Sequence, residues 1–157
     1  MEPKIIQMEK LCIVGLTEDG FDTGKVWGDF EELYNKKPFP KADENGYEIR
    51  FFDGRKKTNL GMDIHVGFLS MSNDGIDGFS TIILPASEYA VFDVFVAKGY
   101  DSENKNMDKW LSDNADKYNH LELEGNHFVV ECYNKKFKGG DKEDSVVEIW
   151  IPLNKIN

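Results

Sequence analysis

Short hydrophobic runs recur along this chain, and most have the length and composition of β-strands. Six runs rich in aromatic and β-branched residues predict strands: residues 5–16, 47–52, 62–71, 79–97, 128–133 and 146–151. The segment Pro85-Ala86-Ser87 interrupts the fourth run. The last two runs flank a lysine- and glycine-rich connector, which predicts a closing hairpin. A turn is expected at Asp53-Gly54, followed by a basic connector at residues 55–59.

Two segments place apolar residues three and four positions apart, which is typical of amphipathic helices. The apolar stripe of residues 25–36 is Val26, Trp27, Phe30, Leu33 and Tyr34, and that of residues 101–118 is Met107, Trp110, Leu111 and Ala115. Asp22 or Thr23 is the expected N-cap of the first helix, and Asp101 or Ser102 that of the second.

The order strand, helix, strand, strand occurs twice, in about residues 1–75 and 76–157. Each unit alone has too little core to be stable, so we expect the two to form one domain over residues 1–157. The predicted fold is α+β, with one antiparallel sheet, both helices on one face and a ligand cleft on the other. The cleft is expected where the two units meet, since pockets often form at such seams.

The formal net charge of −10 narrows the partners that the chain can have. Nucleic-acid binding needs clustered Lys and Arg, so direct binding to nucleic acid is not expected, and anionic membranes are poor partners as well. An acidic protein is mildly favourable for cationic ligands. The aromatic content of 13% is enough to fill a core and still line a ligand cavity.

The spacing of reactive residues indicates no cofactor, no metal site and no catalytic residues. Cys12 and Cys132 each lie in an apolar run, which is typical of buried thiols in a reducing cytosol. The N-terminal residues lack an apolar leader and no run has the length of a membrane span, so we expect a soluble cytoplasmic protein. Phosphate-binding glycine loops and Ser/His/Asp patterns are not found in the sequence.

Four segments resemble a known family when taken in order. They are LPASEYAVF at residues 84–92, the pair Trp110-Leu111, FVVECY at residues 128–133 and VEIWIPL at residues 147–153. The chain is similar there to the GyrI-like small-molecule-binding domains, the effector-binding domains of AraC-type and MerR-type multidrug regulators. It departs from the family pattern at Ser87, where the family has glycine. No helix-turn-helix precedes the first strand, so the resemblance is to a stand-alone member without a direct role in transcription.

The resemblance implies two strand-helix-strand-strand units and a cleft for lipophilic, often cationic molecules. It also implies a glutamate at the floor of the pocket, on the strand before the last, and Glu131 occupies that place. From the residues alone, Glu131 faces either solvent or a pocket, because an acid within an apolar strand needs one or the other.

Alternation along the last two strands divides their side chains between the sheet faces. Glu131 and Tyr133 are expected in the cleft, with Val130 and Cys132 toward the helices. Trp150 is then a candidate cleft wall, since Ile149 and Ile151 are expected to face the helices.

Other ligand-binding candidates come from the remaining elements. In the first unit, we favour Ile49 and Phe51 in the cleft, with Arg50 and Phe52 as the alternative if the register differs. Further candidates that could reach the cleft, with core packing or another structural role as the alternative, are Tyr89, Trp110, Trp27 and His65.

Three functions remain open from the sequence. The first is binding of a lipophilic, cationic small molecule, for sensing or sequestration. The second is hydrolysis of reactive small molecules, with Glu131 as base and Tyr133 or Tyr89 as donor. The third is an interaction module like those family members that inhibit DNA gyrase, with gyrase or a regulator as the protein partner; a domain without an open cleft would favour it.

Overall fold

The computed structural model describes residues 2–19, 22–52 and 63–156, which contain ten strands, two α-helices and one 3-10 turn at Val96–Lys98. The turn expected at Asp53-Gly54 and the basic connector at residues 55–59 lie outside these ranges. In chain order the elements are β1 (Lys4–Met8), β2 (Leu11–Asp19), α1 (Thr23–Lys36), β3 (Gly46–Phe51), β4 (Asp63–Leu69), β5 (Ser80–Leu84), β6 (Ser87–Phe95), α2 (Asp101–Asp113), β7 (Tyr118–His120), β8 (Glu122–Leu123), β9 (Asn126–Tyr133) and β10 (Val146–Lys155).

The strand order shows that two equivalent units form one sheet. The order is β1-β6-β10-β9-β3-β4-β2-β5, and neighbours run antiparallel. Exchanging β1 with β5, β2 with β6, β3 with β9 and β4 with β10 gives the same order reversed. An approximate two-fold axis therefore passes between β3 and β9. The predicted fold class, α+β with both units in one antiparallel sheet, is confirmed.

Helix α1 begins where the sequence predicts its cap. The side chain of Asp22 accepts a hydrogen bond from the backbone N–H of Lys25 at 3.1 Å, which satisfies one of the free donors of the first turn. The buried face carries Val26 and Phe30, which pack on Val14 and Val66 of the sheet.

Helix α2 differs from its prediction at both ends. Its N-cap is Tyr100, which makes no side-chain capping bond, so the expected caps Asp101 and Ser102 are wrong. The acidic first turn still favours this end, because carboxylates stabilise a helix N-terminus. The helix ends at Asp113, before its predicted end at Tyr118, and residues 118–120 form a strand that pairs with the last part of β10. Neither α1 nor α2 is long and apolar enough to cross a membrane.

Both helices lie on the same face of the sheet. Val66, Glu48, Glu131 and Ile149 are successive cross-strand neighbours on β4, β3, β9 and β10, so their side chains share that face. Val66 packs beneath α1 and Ile149 beneath α2. The glutamates between them lie in the gap that separates the helices.

The sheet curls into a half-barrel, so that the side chains on the face opposite the helices pack against one another and are buried. The side chains that fill this half-barrel core include Ile13, Tyr47, Ile49, Phe51, Tyr89, Phe128, Val130, Cys132 and Trp150. Val130 and Cys132 therefore face the half-barrel core, and their expected orientation toward the helices is wrong. The prediction assigned the more apolar side of β9 to the helices. A curled sheet buries both faces, however, and here the face without helices is the more apolar and more completely buried one.

Candidate functional site

A pocket of about 740 Å³ opens between α2 and the sheet, on the helix face rather than on the opposite face where the cleft was expected. Its volume is within the range of small-molecule sites. The sheet contributes Arg50, Val129, Glu131, Ile149 and Ile151, and the α2 side contributes Tyr100, Asn104, Met107, Asp108 and Leu111. Phe52, Tyr133, His120 and His127 complete the lining. A domain without an open cleft would have favoured the interaction-module alternative, whereas the described residues form an open pocket.

Arg50 and Glu131 lie at the base of this pocket, with Glu48 buried beside them, and these three residues are here called the polar floor. Glu48 is fully buried and Glu131 is 6% exposed. The guanidinium of Arg50 lies between them, with Nε 2.5 Å from Glu131 Oε2 and Nη2 2.7 Å from Glu48 Oε2. Two carboxylates and one guanidinium give the group a formal charge of −1. Water is largely excluded here, so this charge is weakly screened.

Aromatic side chains complete the hydrogen bonds of both carboxylates. Trp27 Nε1 donates to Glu48 Oε1 at 2.8 Å, and the hydroxyl of Tyr133 donates to Glu131 Oε1 at 3.2 Å. Each glutamate is thus held through both of its oxygens, and its rotamer is fixed before any ligand arrives. Such fixed polar groups within an otherwise apolar wall are typical of specific binding sites.

Burial brings the titration of Glu131 close to neutral pH. Loss of hydration and the charge of Glu48 raise the pKa of Glu131 to about 7, against the opposing effect of Arg50. Burial also raises the pKa of Tyr100 to about 12, with smaller contributions from Glu131 and Glu48. At the rim, burial lowers the pKa of His120, which favours its neutral form. The charge of the floor therefore depends on the proton of Glu131.

The pocket occupies one side of the approximate two-fold axis because Trp27 fills the other. A Cβ added to Gly46 would lie 3.0 Å from Cη2 of Trp27, so the indole rests directly on the backbone of β3. The indole also meets Tyr133 edge-on, with ring centroids 6.0 Å apart. Under the two-fold, Gly46 corresponds to Val129, and the space above Val129 is open.

Of the residues predicted to bind ligand, the structure brings Glu131 and Tyr133 together in the pocket. Trp27 stands behind them, bonded to Glu48. Trp110 faces the sheet beneath α2, where its ring is 5.9 Å from that of Phe92, as its core-packing alternative expected.

The other predicted residues lie on the far face of the sheet. Ile49, Phe51, Tyr89 and Trp150 belong to the half-barrel core and do not line the pocket. Glu131 is opposite Ile149 in the register, which turns Trp150 to the other face, between Tyr47 and Tyr89. His65 is fully buried and bonds the hydroxyl of Thr17 and the carbonyl of Ile13, as a structural histidine does. The cleft positions expected for these residues are corrected.

The prediction missed Glu48 and favoured Ile49 and Phe51 over Arg50. The structure corresponds to the register that the sequence left as the alternative, with Arg50 and Phe52 facing the pocket. One signal was available, since Glu48 and Arg50 alternate with the apolar Tyr47, Ile49 and Phe51 on β3. Charged residues on one side of a buried strand indicate a polar site there.

Comparison with known proteins agrees with this fold. Neither a protein-family model nor a curated protein matches the sequence. Among solved structures, SAV2435 bound to tetraphenylphosphonium is similar over 98% of this chain and 94% of its own, with 17% identity and a TM-score of 0.65. A putative bacterial transcription regulation protein from Staphylococcus aureus MU50 is similar over 98% of both chains, with 18% identity and a TM-score of 0.62.

A third solved structure extends the comparison to a regulator. The C-terminal domain of EcmrR is similar over 99% of this chain and 98% of its own, with 12% identity and a TM-score of 0.69. In the structure of an EcmrR–DNA complex, the matched part is 58% of the EcmrR chain. These identities are low, so what the likeness shows is the fold. The resemblance to GyrI-like effector-binding domains is confirmed at that level.

Proposed function

We propose that this chain binds small lipophilic cations in the pocket between α2 and the sheet, to sense or sequester them. The observation that carries the proposal is the floor itself, where the formal charge of −1 on Glu48, Arg50 and Glu131 is buried beneath apolar and aromatic walls. A buried charge without a full counter-charge is unfavourable. A ligand cation supplies that counter-charge and gains from the poor screening.

The walls suit the apolar part of such a ligand. Met107, Leu111, Ile149 and Ile151 provide aliphatic surface around the pocket. The ring of Tyr100, which stands at the N-terminus of α2, can contact a cation through its face. Burial of this surface supplies affinity, while Glu131 selects for positive charge.

The similar structures support this proposal from two sides. SAV2435 was solved with tetraphenylphosphonium, a lipophilic cation. The EcmrR domain belongs to a chain whose complex with DNA is known, so a domain with this fold can be joined to a DNA-binding protein. We therefore propose that a protein partner such as a regulator recognises the ligand-bound state of this chain.

Calorimetric titration with tetraphenylphosphonium tests the proposal, at about pH 8, where Glu131 is ionised. We expect Glu131→Gln to weaken binding by about tenfold or more, because the amide keeps the shape but loses the charge. Glu32→Gln on the exposed surface of α1 is the matched control, since it changes the net charge equally and its carboxylate is 69% exposed. Neutral triphenylphosphine oxide should bind weakly to all three proteins. Equal affinity of the wild type and Glu131→Gln for the cation would refute the role of Glu131.

A second candidate function is hydrolysis of electrophilic small molecules in the same pocket. The observation that favours it is a buried carboxyl whose pKa is raised to about 7, with the hydroxyl of Tyr133 within 3.2 Å. Such a carboxylate can accept a proton from water as the water attacks an electrophilic carbon, and the hydroxyl can donate to the leaving oxygen. Styrene oxide, which adds water to give the diol, is a suitable probe. Diol formation at the uncatalysed rate with wild-type protein would refute this candidate.

A further inference from the structure

Arg50 is the most accessible member of the polar floor. Its side chain is 28% exposed, whereas that of Glu131 is 8% exposed and that of Glu48 is fully buried. A ligand that descends to the floor therefore meets the guanidinium as well as the carboxylate of Glu131. The guanidinium bridges the two carboxylates, and its exposed part is open to whatever binds above them.

Within the described part of the chain, the hydrogen bonds and ion pairs of the Arg50 guanidinium use Nε and Nη2 but not Nη1. Nε and Nη2 face the carboxylates of Glu131 and Glu48, and Nη2 is also 3.4 Å from the hydroxyl of Thr23. Among the residues that the structure describes, none accepts a hydrogen bond from Nη1. The guanidinium is planar and its five N–H groups point in fixed directions, so the two on Nη1 cannot turn to the carboxylates already held by the other nitrogens.

We propose that the ligand carries a neutral oxygen acceptor, such as the carbonyl of an ester, ketone or amide, which Nη1 of Arg50 binds. This inference rests on the proposed function and makes it more specific: the ligand is a monocation with an acceptor close to its charge. A carbonyl oxygen satisfies the free N–H groups without changing the charge balance. A carboxylate would place a third negative group around one guanidinium in a poorly screened site.

Two dyes of the same charge and chromophore give a matched test. Tetramethylrhodamine methyl ester and tetramethylrosamine are both monocations, and they differ by the ester on the pendant phenyl ring. We expect wild-type protein to bind the ester about tenfold more tightly in fluorescence anisotropy titrations, since a hydrogen bond to a charged group adds about that much affinity. Free tetramethylrhodamine, whose carboxylate makes it a zwitterion, should bind more weakly than the ester.

Removal of the guanidinium without a change of charge isolates its role. The double variant Glu48→Gln with Arg50→Met loses one charge of each sign, and Glu131 keeps the formal charge of −1. We expect this variant to lose the preference for the ester, so that its affinities for the two monocations lie within about threefold of each other. Arg50→Lys is the second variant, in case the double variant does not fold by circular dichroism. It keeps the charge but not the planar fork, so the preference for the ester should fall below about threefold.

Each outcome decides the inference. Equal wild-type affinity for the ester and for tetramethylrosamine overturns it and leaves cation binding intact. Tighter binding of the zwitterion than of the ester overturns the neutrality of the acceptor. A preference for the ester that persists in the folded variants overturns the role of Arg50. If neither monocation binds to the wild type, the proposed function fails and this inference fails with it.

Discussion

Glu48 and Glu131 lie directly opposite each other on β3 and β9, where the two halves of the chain meet. The approximate two-fold axis relates them, so each unit contributes one carboxylate to the same buried site. The residue two positions further along differs between the units, Arg50 on β3 and Tyr133 on β9. Both of these donate to the neighbouring glutamate of their own strand. The repeat thus supplies the two glutamates, and the different residues beside them, Arg50 and Tyr133, give each glutamate a different hydrogen-bond donor.

The raised pKa of Glu131 makes the stability of the protein depend on pH. The folded protein holds this proton up to about pH 7, whereas an unfolded chain releases it near 4.5. Between these values the native state binds more protons, so the free energy of unfolding falls as pH rises, by up to about 1.4 kcal/mol per pH unit. Above about pH 7 this contribution is fully lost.

Chemical denaturation across this interval tests the pH effect. We expect the wild type to lose about 1–3 kcal/mol more than Glu131→Gln between about pH 5 and pH 8. Glu32→Gln on exposed α1 should follow the wild type. The same pH slope in the wild type and in Glu131→Gln would show that Glu131 does not titrate as described.

The sequence predicts the elements of this fold well because each has a local cause. The hydrophobic runs match strands, the stripe containing Val26 and Phe30 matches α1, and Asp22 caps it as expected. The two-fold repeat follows from the order of elements alone. The predicted end of α2 was wrong: the helix stops at Asp113, and Tyr118 pairs with Lys155 of β10 instead of lying in the helix.

The faces of the strands were harder to predict than the strands themselves. Alternation correctly divides β9 into Glu131 with Tyr133 and Val130 with Cys132, but it does not say which set meets the helices. That choice depends on the curl of the sheet, which buries the helix-free face. The register between β9 and β10 is also non-local, and it decides that Ile149 rather than Trp150 accompanies Glu131.

Trp150 tests the corrected assignment of faces. It is 5% exposed within the half-barrel core, and its indole N–H donates to Glu148 at 2.9 Å. We expect Trp150→Phe to lower the free energy of unfolding by about 1–3 kcal/mol, through lost packing and the lost bond. Affinity for tetraphenylphosphonium at a temperature where the variant is folded should stay within about twofold of the wild type. A large loss of affinity with intact folding would place Trp150 in the binding site after all.

Trp27 tests how the floor is held in place. Its indole N–H is the donor to Oε1 of the fully buried Glu48. Trp27→Phe keeps most of the ring but leaves that oxygen without its donor, so we expect a loss of about 1–3 kcal/mol in the free energy of unfolding. Trp110→Phe is the matched control, because Trp110 packs beneath α2 away from the carboxylates. The variant at Trp110, which leaves no carboxylate oxygen without its donor, should lose less stability than the variant at Trp27.

The backbones of the paired strands β2 and β4 approach so closely at one point that both strands need glycine there. Gly15 and Gly67 are register partners, and a Cβ added to Gly15 would lie 1.7 Å from the carbonyl oxygen of Val66. The clash is with backbone, which cannot move without separating the strands. We therefore expect Gly15→Ala to lower the free energy of unfolding by more than about 3 kcal/mol or to prevent folding.

A glycine in an open place is the matched control for this clash. Gly28 lies within α1, and a Cβ added there would meet no atom within 4 Å. Since alanine is the better helix former, Gly28→Ala should raise the free energy of unfolding by about 0.5–1 kcal/mol. Urea denaturation of both variants compares the same added methyl group at the two sites. If Gly15→Ala proves as stable as the wild type, β2 and β4 do not approach as closely as described.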